Sequence, residues 1–462
     1  ILKARGNTGF TKLLQFDDFS NITTFFDPER LSMQEEYRDE QFRRLRYSGS
    51  VYLVQKAGKF LFIEPSFLLS GVDEYMEREQ GYQANETSKI DSLSPTANSS
   101  FTSMVPGIGI RRNVDKSKLN VRLEYQLSRM NSRVNDTDVP EKSYGYLLPG
   151  LSYEYNFNTG KSITFEYRAN VNAPSISQLL PVTNTLNPLY LVNGNPDLQP
   201  EVDHSVNTHL LFFDQFSFTT IFASMGAGYT KDRINWERTI NDDLVQLLQP
   251  VNTRYGINVR GTIDFSRPVK QIGMKIHVNA QEQYRLGIAP VNAIENEYTS
   301  FIHDLSVSLD NRKKQKWDIK TGIGIRVTDS RFSIQEQLND VYFDLNWFGE
   351  VGYTAGKLWD VLFSADIINY NQKSFEESIL VPYLKGEVNF HIPPSGRATI
   401  RLRVNDMLNR DTGVERISDL NYLSEIRRNT LGRYVMLSFN YKLNKSEEDQ
   451  GNIEIEIHGR RR

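Results

Sequence analysis

The chain has 462 residues, with 54 basic and 57 acidic side chains, a formal net charge of −3 and a mean hydropathy of −0.49. No run approaches the roughly 18 apolar residues that a membrane helix needs, and the near-neutral balance lacks the basic surplus of a nucleic-acid binder. Without cysteine, disulfide scaffolds, thiol catalysis and Cys-ligated zinc are excluded. Ile1 to Arg5 carry no secretory signal and read as the interior of a longer polypeptide.

Two-residue alternation runs along nearly the whole chain. Leu119, Val121, Leu123, Tyr125 and Leu127 alternate with Asn120, Arg122, Glu124, Gln126 and Ser128. The same holds for Trp317 to Val327 and for Ala398 to Asn405. The pattern predicts strands near 43–55, 59–70, 101–112, 118–128, 142–156, 162–170, 201–213 and 216–233. It continues near 253–265, 272–286, 298–309, 317–329, 341–354, 358–371, 381–391, 397–405 and 431–443, with a partial strand near 2–16. Runs of this length exceed the usual five or six residues of a soluble sheet and suit tilted strands that cross a bilayer. A sheet in lipid has to close, because an unpaired edge is not tolerated there. The fold class is therefore all-β, a transmembrane antiparallel β-barrel with a polar lumen.

Short turns are expected at Lys56–Gly58, Asn158–Gly160, Phe213–Gln215, Ala355–Lys357 and Pro393–Gly396, and long polar connections near 71–100, 171–200, 235–252 and 406–430. Short periplasmic turns and long extracellular loops follow from that asymmetry. It places the C-terminus in the periplasm. Pro65, Pro149 and Pro382 remove ladder donors, so bulges or strand ends are expected there. The segment 17–41 holds eight acids (Asp17, Asp18, Asp27, Glu29, Glu35, Glu36, Asp39 and Glu40) against Arg30 and Arg38. It reads as a solvated outward loop, with cation binding or docking of a basic partner as the sharper alternative.

Residues 174–201 contain Pro174-Ser175-Ile176-Ser177-Gln178-Leu179-Leu180-Pro181-Val182, Asn187-Pro188-Leu189 and Gly194-Asn195-Pro196-Asp197-Leu198-Gln199-Pro200-Glu201. This resembles the "PS…L…GNPxLxPE" segment of TonB-dependent outer-membrane receptors, and is especially similar to the large-barrel family of Bacteroidota envelopes. Arg401 to Asn409 resembles that family's penultimate-strand segment, and Gly432 to Tyr441 its final strand. The resemblance implies a 22-stranded barrel filled by an N-terminal plug. The 17 or 18 strands found here would then be its C-terminal part, with no plug domain in this chain. Residues 1–443 form the barrel portion in this division, and 444–462 a periplasmic tail, either solvated or adding a strand to a partner's sheet edge.

No metal, cofactor or catalytic site is expected. His204 and His209, five residues apart, fall on opposite faces of a strand. No HExxH, GxSxG or phosphate-loop pattern occurs, so the chain does not read as an enzyme. Lys320, Arg326, Arg401 and Arg403 are candidate lumen-facing residues that could steer an anionic solute or meet plug carboxylates. The simpler reading pairs them with neighbouring acids. Gly194, Asn195, Pro196, Asp197, Leu198, Pro200 and Glu201 are read chiefly as a rigid loop end that sets register.

The function implied by the resemblance is energy-coupled uptake of a solute through a plugged barrel in the outer membrane. Its partners would be outer-membrane lipid and a TonB-like periplasmic protein engaging a segment upstream of Ile1. Alternatives are a scaffold barrel in a surface complex, with a surface lipoprotein as partner, and a passive porin.

Overall fold

The alternation becomes strand after strand in the computed structural model, which describes residues 1–26, 29–82, 89–135, 137–185, 190–241, 245–311, 316–334, 336–371, 379–393, 397–410, 414–419 and 422–442. The first strands are β1 (Leu2–Phe26), β2 (Glu29–Leu53), a two-residue β3 (Gln55–Lys56), β4 (Leu61–Tyr82) and β5 (Thr96–Val114). β6 (Ser117–Val134), β7 (Thr137–Asn158) and β8 (Lys161–Asn172) follow. A four-residue helix α1 (Ile176–Leu179) and a short β9 (Tyr190–Val192) interrupt the series. It resumes with β10 (Glu201–Asp214), β11 (Thr219–Ile240), β12 (Gln246–Val269), β13 (Met274–Ile288), β14 (Glu297–Asn311) and β15 (Trp317–Phe332). β16 (Asp340–Ala355), β17 (Trp359–Asn371), β18 (Ile379–Ile392), β19 (Ala398–Asn405), β20 (Val414–Asp419), β21 (Tyr422–Arg427) and β22 (Tyr434–Tyr441) complete it.

Long strands pair antiparallel with their neighbours in the chain, β2 joining β4, β8 joining β10 and β19 joining β22. Twenty strands share one sheet. Setting aside the stubs β3 and β9 leaves eighteen long strands among the described residues, in agreement with the upper count read from the alternation. β20 and β21 pair apart as a hairpin. Among the described residues β1 pairs only with β2, and β22 only with β19.

The two faces of the sheet differ in chemistry. Leu61, Ile63, Phe67 and Leu69 of β4 are exposed, as are Val121, Leu123, Tyr125 and Leu127 of β6 and Ile323 and Ile325 of β15. Exposed apolar ladders on strand after strand are far larger than a soluble surface tolerates, and they identify a lipid-facing wall. Aromatic pairs border it. Trp317–Tyr353 and Trp359–Phe390, with ring centroids 4.5 and 4.6 Å apart, lie toward the short-turn end. Tyr284–Phe301, 4.5 Å apart, lies toward the other. Phe301 stands opposite Asp329. The twelve steps from Trp317 to Asp329 rise about 30 Å at ~3.3 Å per residue and ~40° tilt, enough to cross the hydrocarbon.

Several expectations need correcting. The segment 17–41 is no loop: apart from 27–28, which lie outside the described residues, it forms the upper halves of β1 and β2. Much of 71–100 and 235–252 is likewise strand, because β4, β5, β11 and β12 run on past the bilayer. β6 and β7 are joined by a tight turn at Asn135 (φ 51°), although they meet at the end of the long connections. Pro65, Pro149 and Pro382 stay in register opposite Ile108, Leu123 and Ile367. Flanking ladder bonds hold the strands across one missing donor, and the register shifts fall instead near Met130/Ser132 and Asn156/Asn158. The expected turn residues 394–396 and the tail from 443 onward lie outside the described residues.

Candidate functional site: the inner wall and the capped mouth

The face opposite the lipid ladders is polar, and it is crossed by charge pairs between neighbouring strands. Arg44 meets Glu74 at 2.5 Å and Arg111 meets Glu64 at 2.6 Å. Further round, Arg326 donates from Nε and Nη2 to Asp304 at 3.0 and 2.7 Å. His391 pairs with Asp360 at 2.5 Å. Glu387 is nearly buried between two guanidiniums: Arg401 approaches at 3.0 Å and Arg403 at 2.7 Å. Asn389 donates to the same carboxylate at 2.9 Å while accepting from Arg401.

All four sequence candidates share this face. Arg326 is paired with Asp304, Arg401 and Arg403 share the one carboxylate of Glu387, and the Lys320 ammonium stands 5.7 Å from the Phe348 ring centroid. In these pairs the acid is largely covered but the cation is part-exposed and screened by water, so each contributes modestly to stability. Their effect is to make an inner wall of alternating sign. His204 and His209 separate as expected: His204 shares a hydrogen bond of 2.9 Å with Tyr167 on the lipid side, and His209 stacks on Phe222. Among the described residues no three His, Asp or Glu side chains converge as a metal site.

The connection from β8 to β10 folds back against the inner wall. Ser175 begins α1 with a reciprocal capping box to Gln178. The Ile176 backbone N–H donates to Glu74 Oε2 at 2.7 Å. Ile176 and Leu180 pack with Met76 and Ala97, while Leu179 and Leu198 pack with Met130 and, around them, Tyr144 and Ile234. Gln80, fully buried, donates to Glu36 at 2.6 Å and to Thr185 at 2.8 Å. One connection thereby touches β2, β4, β5, β6, β7 and β11.

The motif residues within it make close contacts with the chain around them. A Cβ on Gly194 would lie 2.2 Å from the Leu180 carbonyl oxygen, so only glycine fits there. Asn195 Oδ1 accepts from the Asp197 N–H at 2.9 Å, and its Nδ2 donates to the Pro250 carbonyl at 3.0 Å. Lys142 Nζ donates to the Pro196 carbonyl at 2.9 Å. Leu198 is 1% exposed, Pro200 is fully buried, and Glu201 Oε1 accepts from the Ile234 N–H at 2.6 Å. The second motif acts similarly. Asn409 Oδ1 accepts from the Arg433 N–H at 2.8 Å, and Asp406 Oδ1 accepts from the Arg410 N–H at 3.0 Å, locking the approach to β22.

The acidic stretch of β1 and β2 is likewise knitted. Arg38 binds Asp17 at 2.5 Å and holds its carboxyl below the usual range, and Arg78 of β4 binds Glu40 at 3.0 Å. Half of the compensating charge thus comes from another strand, which a window on 17–41 alone misses.

Sequence reasoning also missed the upper halves of β11 and β12. Past Asp232, whose φ of 54° marks a break in the pairing, they form a separate hairpin. β9 pairs parallel along Gln246–Leu248, and the connection from β13 to β14 lies on the far side, where Val291 bridges Arg238. In the wall that connection belongs on the β12 side, so the neighbours on the two sides of this hairpin are exchanged relative to the strands below it. The turn-prone Asn241-Asp242-Asp243 was the available signal.

A family model described as an outer membrane protein beta-barrel family matches residues 116–441. No curated protein matches the chain in sequence. Among solved structures, the copper transporter OprC aligns over 95% of this chain and 81% of its own, with 9% identity and a TM-score of 0.39. The FrpB iron transporter from Neisseria meningitidis aligns over 95% and 69%, with 11% identity and a TM-score of 0.39. The ferric yersiniabactin uptake receptor FyuA from Yersinia pestis aligns over 94% and 75%, with 9% identity and a TM-score of 0.37.

Proposed function

We propose, on the premise that this chain belongs to the outer membrane protein β-barrel family, that the whole protein is an energy-coupled importer of a solute across the outer membrane. Outer-membrane transport is the coarser part of the reading. The finer part is that a plug fills the lumen and that a TonB-like periplasmic protein supplies the energy. Long connections face the exterior in this reading, and the C-terminus faces the periplasm. The free edges of β1 and β22 must meet each other or further strands, because lipid tolerates neither edge unpaired.

The observation that carries the proposal is the inward-docked connection. Eighteen long strands in one sheet suffice for a wide lumen, and barrels of this size leave a water-filled channel unless something occupies it. Here the β8–β10 connection is docked on the inner wall by a small apolar core, and its β9 pairs with β12. Chain folded back onto the inner wall in this way supports an occupied lumen over an open pore. The "PS…GNPxLxPE" resemblance supports the same choice.

The test is planar-bilayer recording on the whole protein taken from its native membrane. Energy-coupled import predicts no steady conductance in the absence of an energised partner. Sustained ohmic conductance through the unmodified protein would contradict it and favour the porin. In cells, loss of uptake on removing the TonB-like protein tests the coupling directly.

A further inference from the structure

One guanidinium at the mouth stands apart from the charge pairs of the wall. Arg238, on the half of β11 beyond Asp232, has no carboxylate within ion-pair distance among the described residues. Its Nη2 donates to the Tyr190 hydroxyl oxygen at 3.0 Å, and the guanidinium carbon stands 5.8 Å from that ring's centroid. Its Nε is buried without a partner. Gln246, whose Oε1 is also buried without a partner, pairs with Ile240 of β11 on one side and with Tyr190 of β9 on the other.

These residues are held firmly. The Arg238 backbone N–H donates to the Pro290 carbonyl at 2.9 Å, and its carbonyl accepts from the Asn292 N–H at 2.8 Å. The arrangement therefore fixes a half-buried cation at a place assembled from three distant segments, and among the described residues leaves the charge without an acid and one N–H without an acceptor. Elsewhere on the inner face Arg326 pairs with Asp304, and Arg401 and Arg403 share Glu387. A buried donor without an acceptor is costly to keep, and a planar guanidinium is the side chain best matched to a carboxylate or phosphate.

We infer that Arg238, Tyr190 and Gln246 form a binding site for the anionic oxygens of a solute, carboxylate or phosphate, at the mouth of the barrel. The guanidinium supplies charge and paired donors. The Tyr190 hydroxyl accepts from Arg238, so its own proton is free for a solute oxygen, and the buried Gln246 Oε1 is an unused acceptor beside it for a solute that displaces its cover. The site deepens the import reading and rests on it for its purpose, although binding itself requires no energy coupling.

The experiment is calorimetric titration of the whole protein in detergent with citrate, with inorganic phosphate, and with sucrose as the neutral control. Citrate or phosphate is expected to bind, more weakly as salt rises, and sucrose is not. Whichever of the two binds identifies the source of the anionic oxygens. Arg238→Gln should weaken binding about 30-fold or more, the size of losing a charge-assisted hydrogen bond. Arg238→Lys should stay within several-fold of wild type, and Tyr190→Phe should cost about 3- to 10-fold. Heat-modifiable migration on gels checks that each variant is folded. If Arg238→Gln does not assemble, the ordering of Arg238→Lys and Tyr190→Phe decides. Binding of neither anion, or equal binding by folded Arg238→Gln, would overturn the site. Anion binding with no energy-dependent uptake would instead contradict the import reading and leave the site standing.

Discussion

The wall and its inward-folded connection are built for different solvents. On the wall, large apolar side chains such as Ile323 and Leu127 are half-exposed, and the ladder bonds and the polar inner face do the specifying. In the connection between β8 and β10 the rule reverses: Ile176, Leu179, Leu180 and Leu198 are all buried, as in a small soluble protein. One chain thus places its greasy residues outward where lipid waits and inward where water waits. The alternation that reports the first arrangement carries no trace of the second.

This contrast can be broken from either side. Leu198→Ala should be the most damaging change, about 2–5 kcal/mol, because the side chain is sealed against Leu179 and Met130 and its cavity has little means to collapse. Proteolysis within the β8–β10 connection of the intact barrel would report the loss as release of that segment, with the barrel left folded. Ile323→Arg, at mid-height on the lipid face, should cost about 2–4 kcal/mol of barrel stability. Ser306→Arg, on the polar face of the adjacent strand opposite Gly324, should be nearly neutral in the same denaturant titration.

Gly194→Ala sharpens the comparison further. The added methyl meets the backbone of Leu180, so about 1–3 kcal/mol of overpacking strain is expected, again read as proteolytic opening of the connection alone. The smallest effect is expected from Glu74→Gln. The amide still accepts from the Ile176 N–H, and the pairing lost with half-exposed Arg44 is worth about 1 kcal/mol or less.

Much of the wall was legible because a strand between lipid and water must alternate, and the period is visible in any ten residues. Eighteen long strands could be placed from Leu119–Leu127, Trp317–Val327 and their like. The strand extensions above the bilayer were not legible: the lipid face ends there, alternation fades, and acids such as Glu36 and Glu40 look like loop residues until Gln80 and Arg78 are found beside them. The Gly194–Glu201 motif could be read as a rigid loop end, and Gly194 and Asn195 make close contacts within the folded-back connection. Its docking could not be read, because Thr185 reaches Glu36 across 149 residues and Ile176 reaches Glu74 across 102. Arg326, Arg401 and Arg403 share a face by parity, and the structure sets Asp304 and Glu387 beside them. Arg238 was missed because its surroundings come from β9 and the β13–β14 connection, both distant in sequence.

The most direct measurement exploits the absence of cysteine. Single Leu198→Cys and Ile323→Cys variants of the whole protein would be labelled in intact membranes. One reagent would be a water-soluble maleimide, the other a lipid-soluble fluorophore whose emission brominated acyl chains quench. Two solvents for one chain predict that the cysteine at 323 is reached from lipid and strongly quenched, whereas the one at 198 resists both reagents until the protein is denatured. Rapid labelling at 198 from water, or reaction at 323 with the water-soluble reagent in the folded protein, would contradict the account.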